Sequence, residues 1–253
     1  MVSYISNSLT LVKNFFNYVL DILFPIQCLG CGREGAWICK ECFENISLNI
    51  ESVCPFCGKS SPFGRVCFSC QGKYYLKGVM VASTYDNEIL KNMIQAFKYN
   101  FVRSLAKPLG QILINFLEET RKINFSSEDV GILQNPQGVL LIPIPLHRKR
   151  FLERDFNQAE LLAVEVANRF GFKLSSDILK RLRYTPPQVN LKKEAREKNI
   201  KGAFSCMAPE AVKGKKILLL DDVFTTGATV NECAQVLKKA GAREIWGLVL
   251  AKA

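Results

Sequence analysis

Residues 217–230 read ILLLDDVFTTGATV, and the order of chemistries in this stretch decides the fold. Four apolar residues, 217–220, suit a strand buried on both faces. Two carboxylates, Asp221 and Asp222, follow at its carboxyl end, and a hydroxyl-rich turn around Gly227 opens a helix. The free N–H groups and positive dipole end of a helix N-terminus attract an anion, and a glycine lets backbone approach it closely. Thr225, Thr226 and Thr229 add hydroxyl donors, while the two acids are placed to accept hydrogen bonds from a diol such as ribose. The stretch predicts a phosphate site with a diol reader beside it.

Working outward, residues 228–240 continue as a helix with Gly241 as its cap, and EIWGLVLA (244–251) is a last strand. Strand, helix and strand make a parallel crossover unit. Upstream, VMVASTY (79–85) reads as a first strand and NEILKNMIQAFKY (87–99) as an amphipathic helix. Residues 101–119 read as a second helix with Pro108 near its start or at a kink, residues 121–138 as a polar surface loop, and VLLIPIP (139–145) as a buried strand stopped by its prolines. The predicted fold class is α/β, a parallel sheet with helical crossovers.

A basic loop, LHRKRFLERDFNQAE, leaves the 139–145 strand. Arg148, Lys149, Arg150 and Arg154 gather positive charge just past a strand's carboxyl end, where open α/β sheets bind ligands. Arginine forks grip phosphate oxygens in pairs, so a pyrophosphate suits this loop, as does plain solvation of a cationic turn. A second basic segment, 181–204, holds Arg181, Arg183, Lys192, Lys193, Arg196, Lys198 and Lys201 with two adjacent prolines and reads as a mobile loop. Closing over a ligand held at the phosphate site, lying along a nucleic acid backbone and remaining solvated all fit it.

Eight of the ten cysteines form four C-x-x-C pairs: Cys28/Cys31, Cys39/Cys42, Cys54/Cys57 and Cys67/Cys70. Two such pairs close a tetrahedral thiolate site with no open position, so two structural zinc ions are expected. CLGCG with ICKEC resembles CPFCG with VCFSC at an offset of 26 to 28 residues, an internal duplication. Duplication favours sequential sites, Cys28, Cys31, Cys39 and Cys42 on one ion and Cys54, Cys57, Cys67 and Cys70 on the other. Spacing alone also permits a crossed arrangement. Trp37, Phe43, Phe56, Phe63 and Phe68 lie among Lys40, Lys59, Arg65 and Lys73, a mixture that suits stacking on single-stranded nucleic acid or, equally, small ribbon cores. Cys233 falls on one helix face with Val230, Ala234 and Leu237 and is expected in the core. His147, the single histidine, reads as a solvated loop residue.

A chain of 253 residues, 48% hydrophobic, can bury a sizeable core and is neither fibrous nor disordered. Its formal charge of +11 falls by four, to +7, once eight thiolates hold two divalent ions. That balance still favours a polyanionic partner. Residues 9–24 are apolar at helical spacing, but Lys13 and Asp21 interrupt them and the run is shorter than the ~20 residues a spanning helix needs. No membrane span and no secretory leader are expected, and the thiols fit a reducing, cytoplasmic setting. The organisation read from this pattern is an amphipathic helix (1–24), a double zinc ribbon (25–75) and an α/β domain (76–253).

The DDVFTTGATV run resembles the loop of type I phosphoribosyltransferases that binds 5-phosphoribosyl-1-pyrophosphate (PRPP). The likeness implies that Asp221 and Asp222, also the candidate catalytic residues, hold the ribose hydroxyls, and that Thr225, Thr226, Gly227, Ala228 and Thr229 wrap the 5-phosphate. From CLGC through AFKY, LIPIPLHRKR, FNQAELLA, residues 188–196, Asn199 and GAF to the closing AGA, the chain resembles the ComF family of phosphoribosyltransferase-like competence proteins. Arg148, Arg150, Arg154 and Arg196 are thereby assigned to PRPP. One departure is Asp155, where the family usually has glycine between arginine and phenylalanine. Aspartate tolerates a positive φ, but it puts a negative charge beside the expected pyrophosphate site. The resemblance implies PRPP carried with magnesium, incoming single-stranded DNA, and uptake-machinery partners including a helicase. It leaves open whether transfer occurs. A nucleotide-salvage transferase and a non-catalytic PRPP sensor that regulates DNA binding are the alternatives.

Overall fold

The computed structural model describes residues 25–49, 53–123, 131–185 and 198–253. The helix expected over 1–24 lies outside these residues, as does Arg196. Among the described residues there are seven strands: β1 (Gly78–Thr84), β2 (Val139–Pro143), β3 (Lys173–Leu174), β4 (Leu179–Arg181), β5 (Phe204–Cys206), β6 (Lys216–Phe224) and β7 (Glu244–Lys252). Five of them form one sheet in the order β1-β7-β6-β2-β3, every neighbouring pair parallel. β4 and β5 form a separate antiparallel pair.

The five longer helices are α1 (Glu88–Tyr99), α2 (Ala106–Lys122), α3 (Arg148–Arg154), α4 (Gln158–Phe170) and α5 (Ala228–Lys239). Asn87 caps α1 by accepting from the Leu90 N–H at 3.0 Å. Asn157 caps α4, accepting from the Ala159 N–H at 3.2 Å, and its Nδ2 donates to the Ile144 carbonyl at 3.1 Å. That second bond pins the start of α4 to the chain leaving β2. Substituting such a cap by alanine costs about 1 kcal/mol.

Strand alternation sorts the core into two faces. Ile217 and Leu219 of β6 pack with Leu140, Ile142, Ile245 and Val249, under Val230, Cys233 and Leu237 of α5 and Phe204 of β5. Leu218 and Leu220 turn to the opposite face, on which α2 and α4 pack together. Both faces are covered, which is why the strands read as continuous apolar runs. The sheet also contains a reversal. From β2 the chain moves outward to β3, whereas from β6 it moves the other way to β7, so the carboxyl ends of β2 and β6 form a topological switch point.

Several local expectations change. The strand carrying the acids runs through both of them to Phe224, because residues 221–224 go on pairing with β7. The polar stretch 121–138 is not a simple loop: α2 runs into it, and Gly131–Gln134 is a short helix that buries Ile132 and Leu133. The basic loop contains a helical turn, α3, whose N-cap is His147. Arg181 belongs to a strand, since β4 pairs with β5 across the intervening basic residues. Gly241 lies one residue beyond the cap position, Ala240.

By contact the chain separates into two compact units at Ile46 and Ser47, inside the cysteine segment. The second ribbon belongs to the larger unit, where Cys54, Val66, Cys70 and Leu76 join the core on the α5 face of the sheet.

Candidate functional site

The two cysteine clusters are sequential. Cys28, Cys31, Cys39 and Cys42 form one group and Cys54, Cys57, Cys67 and Cys70 the other, with all four sulfurs of each group within 4.8 Å of one another. Four sulfurs at about 2.3 Å from a tetrahedral zinc lie about 3.8 Å apart. Cys31 and Cys39 sulfurs are 3.7 Å apart and those of Cys57 and Cys67 3.4 Å. The same backbone knuckle builds both: Cys28 N–H bonds to Arg33 O and Gly32 N–H to Cys28 O, as Cys54 N–H does to Lys59 O and Gly58 N–H to Cys54 O. Thiols this close cannot all ionise without a cation. Burial pushes the Cys70 thiol up to about 12, and the hydrogen bonds it donates toward Cys57 and Cys67 add to the rise. Contact with the Cys57 sulfur brings Cys67 down to about 7 despite its burial. The donor set and its geometry fit a structural zinc in each ribbon.

Of the ribbon aromatics, only Phe68 is fully displayed, at 90% exposure; Phe63 is buried and Phe56 packs on the core.

At the switch point lies an open cavity of about 560 Å³. β6 brings Asp221 and Asp222 to it and the following turn brings Thr225 and Thr229. α3 brings Arg150 and Arg154. Because successive side chains of a strand alternate, the two acids turn to opposite sides. Asp222 is 8% exposed and its Oδ1 sits 2.8 Å from the Lys98 ammonium at the end of α1. Asp221 accepts the Asp222 N–H at 2.9 Å. Burial and the neighbouring Asp222 raise the Asp221 carboxyl to about 7, against the pull of Lys98, the Asp222 N–H and Arg181.

Across the cavity Arg181 reaches in from β4. Burial, together with repulsion from Arg150, depresses its basicity, as expected of cations gathered without their anion. Among the described residues its Nε has no hydrogen-bond partner, and neither does Nε2 of Gln158, a side chain 1% exposed whose Oε1 accepts from Arg154 at 3.1 Å. Two buried donors left unpaired in the lining of one cavity are costly, and an anionic ligand would satisfy them.

The other expected residues lie elsewhere. Arg148 is exposed at the start of α3 and does not line the cavity. Thr226, Gly227 and Ala228 line a separate recess of about 370 Å³ on the far side of the turn, with Lys73 and Tyr75. His147 caps α3 and its ring meets Tyr184 edge-on at 5.4 Å. Asp155 adopts φ 62°, the left-handed conformation for which glycine would be the default, so aspartate holds the glycine geometry. Its carboxylate is 89% exposed and turns to Arg103 at 3.5 Å, outside the cavity lining. The extra negative charge therefore does not face the arginines of the cavity. Sequence reasoning missed Lys98, Gln158 and the role of Arg181. Lys98 carried a signal: with Leu90 and Ile94 it falls at i, i+4 and i+8 on the inner face of α1.

Residues 19–71 match the double zinc ribbon domain and residues 157–253 the phosphoribosyl transferase domain. Fold and site thus define a phosphoribosyltransferase-type parallel α/β domain joined to two four-cysteine ribbons. The chain is 30% identical to the DNA utilization protein YhgH of Salmonella typhimurium over 83% of its length and 89% of that protein's. It is 28% identical to competence protein F of Haemophilus influenzae over 95% of this chain and 100% of that one, and 28% identical to competence protein ComFC of Bacillus subtilis over 81% and 79%. The chain belongs to the ComF family of phosphoribosyltransferase-like competence proteins.

Proposed function

We propose that this protein binds PRPP at the switch-point cavity and acts in DNA uptake, handling incoming single-stranded DNA in the cytoplasm. The observation that carries the ligand is the pairing, across one cavity, of two adjacent carboxylates with Arg150, Arg154 and Arg181. Acids that accept from a vicinal diol and arginines that fork onto a diphosphate match the two ends of a phosphoribosyl diphosphate. Asp221 and Asp222 take the ribose hydroxyls, while Thr225, Thr229 and the backbone of their turn take the 5-phosphate. The unpaired donors of Gln158 and Arg181 complete the diphosphate pocket. The role in DNA uptake follows the names of the relatives, competence proteins and DNA utilization proteins. Uptake-machinery partners, a helicase among them, belong to the same proposal.

Magnesium carried on the diphosphate would supply further charge neutralisation there. The chain's own part is to hold the ribose, neutralise the departing diphosphate and exclude water. A nitrogen nucleophile would come from the acceptor, so the protein needs none of its own.

The test is calorimetric titration of magnesium PRPP, followed by incubation with single-stranded DNA or free nucleobases and assay of released pyrophosphate. Binding that is lost on replacing Asp221 and Asp222 by asparagine supports the site. Release driven by a free base would replace the uptake role with nucleotide salvage. Binding with no release under any acceptor would make the protein a PRPP sensor.

A further inference from the structure

The turn at 225–229 has a back wall, and the second ribbon builds it. Gly227 takes φ 78°, and a Cβ there would lie 2.5 Å from the Phe224 ring and 2.7 Å from the Phe56 ring. Phe56 stands between the first two cysteines of the second cluster, in C-P-F-C. Its ring meets Phe224 edge-on at 5.7 Å and stacks on Tyr74 at 3.4 Å with the planes 7° apart.

Three further bonds fasten the same ribbon around the turn. Lys252 Nζ at the end of β7 donates to the Pro55 carbonyl at 3.0 Å. On α5, Asn231 Oδ1 accepts the Tyr75 N–H at 2.9 Å and Gln235 Nε2 donates to the Tyr75 hydroxyl at 2.9 Å. The ligands Cys54 and Cys70 are buried in the core with Phe224, Ala228 and Val230. The duplicated first ribbon has Gly30 at the position of Phe56, in C-L-G-C, and so lacks this ring.

We infer that Phe56 is a positioning residue for the 225–229 turn, held in place by the second cysteine site, so that metal at that site, and not at the first, sets the shape of the phosphate loop. The function of the inference rests on reading that turn as the PRPP loop; its mechanics do not. Phe56 has one face against Tyr74 and one edge toward Gly227, and its backbone is fixed by the knuckle that Cys54 and Cys57 close. Loss of the metal frees that knuckle, withdraws the ring and leaves the left-handed Gly227 backed by the Phe224 ring without its second wall.

The experiment compares the full-length chain with Cys31→Ser, Cys57→Ser, Phe56→Ala and Phe56→Tyr. Zinc stoichiometry, amide hydrogen exchange and magnesium PRPP binding are measured on each. Cys57→Ser and Phe56→Ala should raise exchange in residues 224–231 by tenfold or more and weaken PRPP binding by a similar factor. Phe56→Ala should keep both zinc ions, which separates loss of the ring from loss of the ribbon. Cys31→Ser should leave exchange at 224–231 and binding as in the parent, and Phe56→Tyr should restore both. Unchanged exchange at 224–231 in Phe56→Ala, or equal loosening by Cys31→Ser, would overturn the inference. A parent protein that binds no PRPP would sink the proposed function, while the exchange comparison would still decide the coupling.

Discussion

The two ribbons share paired C-x-x-C ligands, a backbone knuckle and a sulfur cluster of similar size, yet they belong to different compact units of the chain. The first belongs to a compact unit that ends at Ile46; of the residues 25–46, only Cys28, Cys42 and Ile46 are buried. The second contributes Cys54, Val66, Cys70 and Leu76 to the core that lies against the central sheet. Duplicated local sequence thus fixes the metal site, and a few unduplicated residues decide what the site supports. At equivalent positions the pairs are Leu29 with Pro55 and Gly30 with Phe56. A glycine in the first knuckle gives nothing to pack, whereas the phenylalanine in the second reaches the phosphate loop.

The contrast is most easily broken by metal removal. Cys57→Ser should destabilise the main unfolding transition by about 4 kcal/mol or more, since losing a structural metal from a core is among the largest single-site effects, whereas Cys31→Ser should leave that transition in place. Thermal denaturation with zinc quantification checks both; equal effects would erase the distinction between the ribbons.

The next effect comes from the loop itself. Gly227→Ala adds a methyl group against the Phe224 and Phe56 rings and forces an L-residue into φ 78°, together about 2–4 kcal/mol, read as a lowered denaturant midpoint. Phe56→Ala should cost about 2–3 kcal/mol, less than a fully buried phenylalanine because the ring is only partly enclosed. Asn231→Ala removes the acceptor for the Tyr75 N–H and should cost about 1 kcal/mol.

The smallest effect is one of pH. With its carboxyl raised to about 7, Asp221 keeps its proton in the folded chain at pH values where the unfolded chain, near 3.9, has lost it. The folded state then binds more protons between those limits, so stability falls as pH rises from about 4 to about 7 and is level beyond. Lys98, Arg181 and the Asp222 N–H oppose this rise, and Asp222 promotes it. Asp221→Asn should remove this part of the pH dependence. Subtracting its stability profile from that of the parent isolates the group from the cysteine clusters, and coincident profiles would refute the assignment.

Much of this was legible where the determinants are local. The strand, acid pair, turn and helix of residues 216–239 are encoded by neighbours in sequence, and so are the four C-x-x-C pairs. The left-handed Asp155 was readable from the family resemblance, which implies glycine between Arg154 and Phe156, and the structure gives that position φ 62°. What was hidden depends on pairing at a distance. β4 and β5 are three residues each and find one another across a basic stretch of more than 20, so Arg181 read as part of a loop until the pair placed it in the cavity. Arg148 and Arg150 are two residues apart and looked equivalent; the helical turn of α3 sends one to solvent and the other to the cavity. Nothing in the cysteine spacing said that one ribbon joins the core.

The most direct test is a single calorimetric series with magnesium PRPP on four proteins of verified zinc content: the parent, Cys31→Ser, Phe56→Ala and Asp221→Asn/Asp222→Asn. The account predicts binding by the parent and Cys31→Ser, binding weakened tenfold or more in Phe56→Ala, and none in the double asparagine variant with both zinc ions retained. Undiminished binding by the double variant would contradict it.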